Sequence, residues 1–307
     1  MTVAAPPSVT VVIPTRDRPA QLRQAIRGVA AQDYDGPLDV TVVYDHAQPE
    51  SSLETEDLGV PVRVLQNERT PGLCGARNTG ILGSTSDLVA FCDDDDVWLP
   101  GKLPEQVASL ARQPAAEFAT TAIVVRFDDG ETVRLAGRDE VTHADLLRSR
   151  MAMLHSSTFL VRRPALLDGI GLLDEAIPGS MCEDWDILLR ATARRPVVHV
   201  DRPLVRVLWG QASFFARHWE TKLAAHAWML QRHPDIWTSR VGAGRVLGQI
   251  AFENAALHRR RAAVRHAVRA LRRNPREHRA VLALLVAARA LPASTVLEFL
   301  HRRGHGI

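Results

Sequence analysis

Four consecutive aspartates, Asp93, Asp94, Asp95 and Asp96, stand out among the 307 residues of the chain. Carboxylates a few Å apart raise one another's pKa, so such a run needs a counter-charge. A hard divalent cation, Mg²⁺ or Mn²⁺, can supply it, taking oxygen ligands, keeping waters and using substrate phosphates to complete its shell. Extended backbone turns Asp93 and Asp95 to one side and Asp94 to the other. The alternative is a solvated acidic loop. Against that, the run ends the apolar stretch 88–92 and is closed by Trp98 and Pro100. Thr15 and Arg16 follow the apolar run 9–13 and Pro14, and Asp45 follows the run 40–44. In open α/β sheets ligands bind beyond the carboxyl ends of the strands, so three polar strand ends on one rim form a candidate site.

The elements needed to hold that rim are legible. Residues 9–13 are a short β-branched run of the kind buried on both sheet faces. Pro19 suits a first helical turn, and Leu22, Ala25, Ile26 and Val29 recur at helical spacing before the turn at Asp35-Gly36-Pro37. With the strand 40–44 this makes a βαβ unit. Strands at 62–65 and 88–92 flank a short helix at 75–83, which predicts an α/β fold with a mainly parallel sheet. Further strands are expected at 118–126, 158–161 and 197–200, and a helix at 185–194. Beyond residue 214 the pattern is helical. Val264, Val268 and Leu271 are expected on the packed face of one helix and Arg261, Arg265, Arg269 and Arg272 on the other. An apolar helix at 280–291 ends at Pro292, and Thr295 with Glu298 suggests a capping box opening the last one.

Composition bounds the rest. With 46% hydrophobic and 24% charged residues the chain can bury a sizeable core. Three cysteines at wide spacing exclude a disulfide scaffold and a zinc-type motif. No secretory leader and no window of roughly 20 apolar residues is found, so a soluble, cytoplasmic protein is expected. Residues 1–200 carry 19 basic and 29 acidic side chains, and residues 201–307 carry 19 and 6, so the net charge changes from −10 to +13. All basic residues except Lys102 and Lys222 are arginines. The arginine-rich helix reads as a solvated face or as a peripheral contact with an acidic membrane surface. It lacks the interleaved aromatics of a nucleic-acid reader, and no nucleic-acid partner is expected.

Taken together, Val12-Ile13-Pro14-Thr15-Arg16, Asp45, the segment from Gly75 to Gly80 and Phe91-Cys92-Asp93-Asp94-Asp95-Asp96-Val97-Trp98 resemble the family 2 glycosyltransferases of GT-A fold. Val161-Arg162-Arg163, the segment from Gly171 to Glu175 and Glu183-Asp184-Trp185-Asp186 are similar to that family's later elements. The resemblance covers residues 8–210. It implies a Rossmann-like, mainly parallel sheet flanked by helices over residues 1–239, with a nucleotide-binding part at 8–125 and an acceptor-binding part at 126–239. Residues 240–307 would be a helical appendage.

The resemblance also implies an inverting transfer of one sugar from a nucleotide-diphosphate sugar to an acceptor hydroxyl. Asp45 would accept the N3 proton of uracil or thymine, which makes a UDP- or dTDP-sugar the expected donor. Pro14, Thr15, Arg16, Arg77, Asp93 and Asp94 would line the nucleotide, and Asp95 with Asp93 would hold Mg²⁺ or Mn²⁺. Asp184 would be the general base, with Glu183 orienting it or touching acceptor, and Asp186 turned away round the helix. The acceptor is a small molecule, a glycan or a lipid-linked group. Two features depart from the family: Trp209 stands where a late histidine is expected, leaving His199 and His218 nearest, and the processive Q-x-x-R-W signature is missing. Two other readings stay open. Asp93-x-Asp95-x-Val97 also satisfies the nucleophile motif of HAD-like phosphohydrolases, and a non-catalytic nucleotide-sugar binding module would keep the same rim.

Overall fold

The computed structural model describes residues 5–127, 130–209 and 218–301. The first half is built from β1 (Val9–Thr15), α1 (Pro19–Ala30), β2 (Leu38–Tyr44), β3 (Val62–Gln66), α2 (Leu73–Gly83), β4 (Leu88–Phe91), β5 (Val97–Trp98) and α3 (Lys102–Arg112). Then come β6 (Phe118–Phe127), β7 (Gly130–Arg134), β8 (Glu140–Val141), α4 (His143–Arg148), β9 (Leu160–Arg162), α5 (Arg163–Asp168), α6 (Glu183–Arg194) and β10 (Val197–Trp209). Five helices close the chain: α7 (Trp219–Arg232), α8 (Arg240–Ala256), α9 (Arg260–Arg273), α10 (His278–Ala287) and α11 (Ala293–His301).

One sheet runs in the order β3-β2-β1-β4-β9-β6-β10-β5, with β7 on β6 and β8 on β10. The pairs β1–β2, β2–β3, β1–β4 and β6–β10 are parallel, and β9 is inserted antiparallel between β4 and β6. Every residue of β1 is buried. Val9, Val11 and Ile13 join one core cluster and Val12 the other, so the strand has apolar layers on both faces. Each such fully buried side chain contributes roughly 1.5–3 kcal/mol, which explains why a run without polar alternation forms a central strand. The chain leaves β1 towards β2 and β3, then crosses back to β4 on the other side of β1. That reversal opens a crevice where Thr15, Asp45 and the aspartate run emerge.

Several sequence expectations are corrected. α6 starts at Glu183, two residues early, so Glu183 and Asp184 lie in its first turn. β10 continues to Trp209, far beyond the predicted 197–200, because a bulge between Val200 and Val205 absorbs Pro203, and Asp201 caps the backbone amides of Ala136 and Gly137. α10 ends at Ala287, with Arg289 in the left-handed region, and α11 starts at Ala293, so Thr295 sits inside the helix and caps nothing.

The packed face of α9 also differs. Ala263, Ala267 and Ala270 are buried, whereas Val264 and Val268 are 44% and 39% exposed. Helices α8 and α9 meet through small residues. A Cβ on Gly244 would stand 2.8 Å from the Cβ of Asn274 and 3.3 Å from the Ala270 carbonyl oxygen, leaving no room for valine in the seam. α8 serves two cores: Val246 and Ile250 pack with the α/β body, and Leu247, Ala251 and Phe252 with the C-terminal helices. Among the described residues no helix is long and apolar enough to cross a membrane. Cys74, Cys92 and Cys182 are buried and free.

Candidate functional site

The rim is organised around a fully buried guanidinium. Arg77, on α2, donates from Nη2 to Asp93 Oδ1 (2.5 Å) and Ser156 Oγ (2.8 Å), and from Nη1 to Glu183 Oε1 (2.8 Å). It also lies 5.5 Å from the ring centroid of Phe91. The end of β4 and the start of α6 are thereby tied through one side chain. Burial works against the Asp93 carboxylate, but Arg77 and His155 hold its pKa below the usual value. Burial and the neighbouring Asp184 push Glu183 up, against Arg77.

The neighbours of Asp93 are held separately. Thr15 Oγ1 donates to Asp94 Oδ2 (2.8 Å), and Arg18 Nη1 bridges Asp94 Oδ1 (3.0 Å) and Asp95 Oδ2 (2.7 Å). Buried Asp96 accepts from Ser157 Oγ (2.5 Å) and pairs with His155 Nδ1 at 3.3 Å. Burial opposes charge on His155, but Asp96, Asp93 and Asp184 raise it to about 9, so the ring is cationic at neutral pH. Asp95 is pushed the other way: burial, then Asp96 and Asp93, raise its carboxyl to about 7 despite Arg18.

Asp93, Asp96 and His155 offer three ligand atoms within 4.8 Å of one another, the one such group among the described residues. The carboxylate oxygens suit Mg²⁺ or Mn²⁺, and the His155 ring can join them only by giving up its proton. Asp93, Asp94, Asp95, Asp96 and Glu183 face three cationic groups, Arg18, Arg77 and His155, so a divalent ion would balance the rim.

Asp45, at the end of β2, accepts from Asn67 Nδ2 (2.7 Å) and from the Gly72 amide (3.0 and 3.1 Å). Gly72 has φ 118°, a left-handed conformation that favours glycine, which turns its N–H onto the carboxylate. These donors fix the carboxylate while Oδ2 keeps a lone pair for a further donor. Pro14 is buried at the end of β1 and Arg16 is exposed beside it.

Asp184, next along α6, is held by a different cation. Its two oxygens lie 2.7 and 2.8 Å from Arg150 Nη2, and the Trp185 amide donates to Oδ1 (2.7 Å). Asp186 is fully buried and accepts from Arg190 (2.8 and 2.9 Å) and His233 Nε2 (2.7 Å), so it ties α6 to the end of α7. His199 is not at the rim. It lies near the start of β10, bonded to Thr120 Oγ1 (2.9 Å), whereas the aspartate run meets the far end of that strand, where Asp96 accepts from the Leu208 amide (3.3 Å). The side chain of Trp209 lies outside the described residues. Sequence reasoning missed Arg18, Arg150 and His155. Each comes from a loop without periodicity, and only the run His155-Ser156-Ser157-Thr158 ahead of β9 gave a polar signal.

The model of the family described as Glycosyl transferase family 2 matches residues 10–169. The uncharacterized glycosyltransferase YwdF of Bacillus subtilis is 25% identical over 186 residues, 60% of this chain and 67% of that protein. A pre-mycofactocin glycosyltransferase of Mycobacterium tuberculosis is 28% identical over 258 residues, 78% of this chain and 51% of that protein. An uncharacterized glycosyltransferase of Rickettsia felis is matched over 33% of its length, so the chain spans between a third and two thirds of these relatives. Among solved structures, S. aureus TarS 1–349 in complex with UDP-GlcNAc superposes with a TM-score of 0.61 at 16% identity, over 97% of this chain and 92% of that one. The mannosyltransferase PcManGT of Pyrobaculum calidifontis, in complex with GDP-Man and Mn²⁺, gives 0.51 at 17%, over 96% and 80%.

Proposed function

The chain belongs to glycosyl transferase family 2, with a GT-A-type fold, and on that premise we propose that it moves one sugar from a UDP- or dTDP-sugar to an acceptor hydroxyl with inversion at the anomeric carbon. The observation that carries the reading is the Arg77 bridge, which draws Asp93 and Glu183 into one network with Asp184 next along the chain. The acidic donor rim and the Glu183-Asp184 pair thus form one site.

Asp45 reads the base by accepting the pyrimidine N3–H, and Thr15, Asp94 and Arg77 shape the nucleotide pocket beside it. Asp93 and Asp95, with Asp96 and His155 on the same rim, would hold a divalent cation, which would supply charge stabilisation to the departing nucleoside diphosphate. Asp184 takes the acceptor proton as the oxygen attacks the anomeric carbon and the bond to the diphosphate breaks. One base with direct displacement gives inversion. The UDP-sugar and Mn²⁺ named for the solved relatives support a nucleotide-sugar donor and a divalent ion. Family membership displaces the phosphohydrolase reading, and the ion pair to Arg77 leaves Asp93 poorly placed as a nucleophile. We keep residues 1–239 as the catalytic unit and 240–307 as its helical appendage. The arginines of α9, with exposed Val264 and Val268 among them, support a peripheral contact with an anionic membrane.

The test is a thermal-shift panel of nucleoside diphosphates with and without Mn²⁺, since a ligand that binds only the folded state raises its stability. UDP or dTDP with metal should stabilise the wild type, and Asp95→Asn should lose the metal-dependent part. Equal stabilisation of both proteins would remove Asp95 as a ligand, and preference for GDP would remove Asp45 as the reader.

A further inference from the structure

Arg150, which holds Asp184, opens onto a second cluster of charges contributed largely by the C-terminal helices. Lys222 and His226 come from α7, Arg245 and Glu253 from α8, and Glu277 and Arg279 from the start of α10. Three of the five cations are matched by carboxylates. Arg150 pairs with Asp184 at 2.7 Å, His226 Nδ1 with Glu253 Oε1 at 2.8 Å, and Arg279 with Glu277 at 2.9 Å. Arg245 and Lys222 have no carboxylate within 4.0 Å among the described residues. The described acceptor of Arg245 is the Ser149 hydroxyl, 2.7 Å from Nη1, and its buried Nε has no partner among the described residues. Lys222 Nζ lies 4.6 Å from the Trp219 ring centroid.

Their ionisation reflects this surplus. Burial, then the repulsion of Arg279 and Arg150, lowers Arg245 to about 10, and burial lowers Lys222 as well. A crowded guanidinium beside two others, hydrogen-bonded to a hydroxyl and attracted at longer range by Glu277, gains from an anion that completes it. Arg150, Lys222 and Arg245 are partly exposed, so such an anion can enter from solvent.

We propose that this charge cluster is an anion subsite for the acceptor, binding a phosphate group of the acceptor through Arg245 and Lys222 beside the hydroxyl that Asp184 deprotonates. The proposal rests on the assignment of Asp184 as base. A phosphate suits the cluster better than a carboxylate, because it carries up to two charges and has more oxygens to share among its cations. The C-terminal helices would then form the acceptor wall, and their basic charge would attract the substrate.

The experiment is a calorimetric titration of the full chain, saturated with UDP and Mg²⁺, with inorganic phosphate. The wild type should bind phosphate, Arg245→Met should bind it about tenfold or more weakly, and Lys222→Gln should also be weakened, while UDP affinity stays within about twofold in all three. Arg245→Met removes a repelled charge, so its melting temperature should not fall, which separates lost binding from lost fold. Glycerol 3-phosphate and farnesyl phosphate in the same titration distinguish the sources: tighter binding of the first identifies a soluble polyol phosphate, and of the second a lipid phosphate. No phosphate binding by the wild type, or equal binding by Arg245→Met, overturns the subsite. Failure of UDP to bind the wild type would instead overturn the donor assignment, because the phosphate result is read on Arg245 alone.

Discussion

The strand-end rim and the charge cluster of the C-terminal helices are unbalanced in opposite directions. The rim sets Asp93, Asp94, Asp95, Asp96 and Glu183 against Arg18, Arg77 and His155. The cluster sets Arg150, Lys222, His226, Arg245 and Arg279 against Asp184, Glu253 and Glu277. With every group ionised, one is two positive charges short and the other has two to spare. Adjacent residues in the first turn of α6 divide the regions, Glu183 reaching Arg77 and Asp184 reaching Arg150. A donor bound with its cation and an anionic acceptor would each complete one region, and the reacting atoms would meet where the two abut.

The most severe way to break this arrangement is to remove the rim's buried cation. Arg77→Met leaves Asp93 and Glu183 without their partner, and breaking a buried ion pair from one side costs about 3–5 kcal/mol. Denaturant unfolding should show that loss together with abolished donor binding. A change below about 1 kcal/mol would mean that the bridge does not hold the rim.

Next comes Asp186, whose role the sequence understated. Helical angle turns it away from Asp184 and says nothing of what it packs against. It is in fact fully buried between Arg190 and His233. Asp186→Asn should cost about 1–3 kcal/mol of stability and leave UDP affinity of the folded protein unchanged. A large loss of transfer without loss of stability would move Asp186 into the chemistry.

What was legible follows from how each part is encoded. Thr15, Asp45 and the aspartates end buried β-branched runs, and burial on both sheet faces leaves a continuous apolar signal. Arg18, Arg150 and His155 sit in loops and find their carboxylates 34–77 residues away, a pairing that local pattern cannot encode. α9 misled because hydrophobicity was taken to mark the packed side. Its glycine-rich partner α8 approaches so closely that alanine takes the seam and valine is turned outward.

The charge cluster carries its own pH signature. Burial disfavours the His226 cation, but Glu253 and Cys182 raise it to about 10, above the 6.5 of a free histidine. A raised folded-state pKa stabilises fully below 6.5, and the contribution is lost as pH rises through about 10. The wild type should therefore lose stability between pH 7 and 10 more steeply than His226→Gln. Parallel curves would show that the pair is not charged as described. The smallest effect is expected on the outer face of α9: Arg265→Gln with Arg269→Gln should leave stability within about 0.5 kcal/mol and weaken sedimentation with anionic vesicles. Unchanged sedimentation would reduce that face to a solvated surface.

The central claim is that Asp184 acts on the acceptor between the two regions, and Asp184→Asn measures it directly. Donor and metal should bind as in the wild type, while transfer to a competent acceptor falls roughly 10² to 10⁴-fold and the wild-type product has the inverted anomeric configuration. Near wild-type transfer by Asp184→Asn, or a product that retains the donor's configuration, would contradict it.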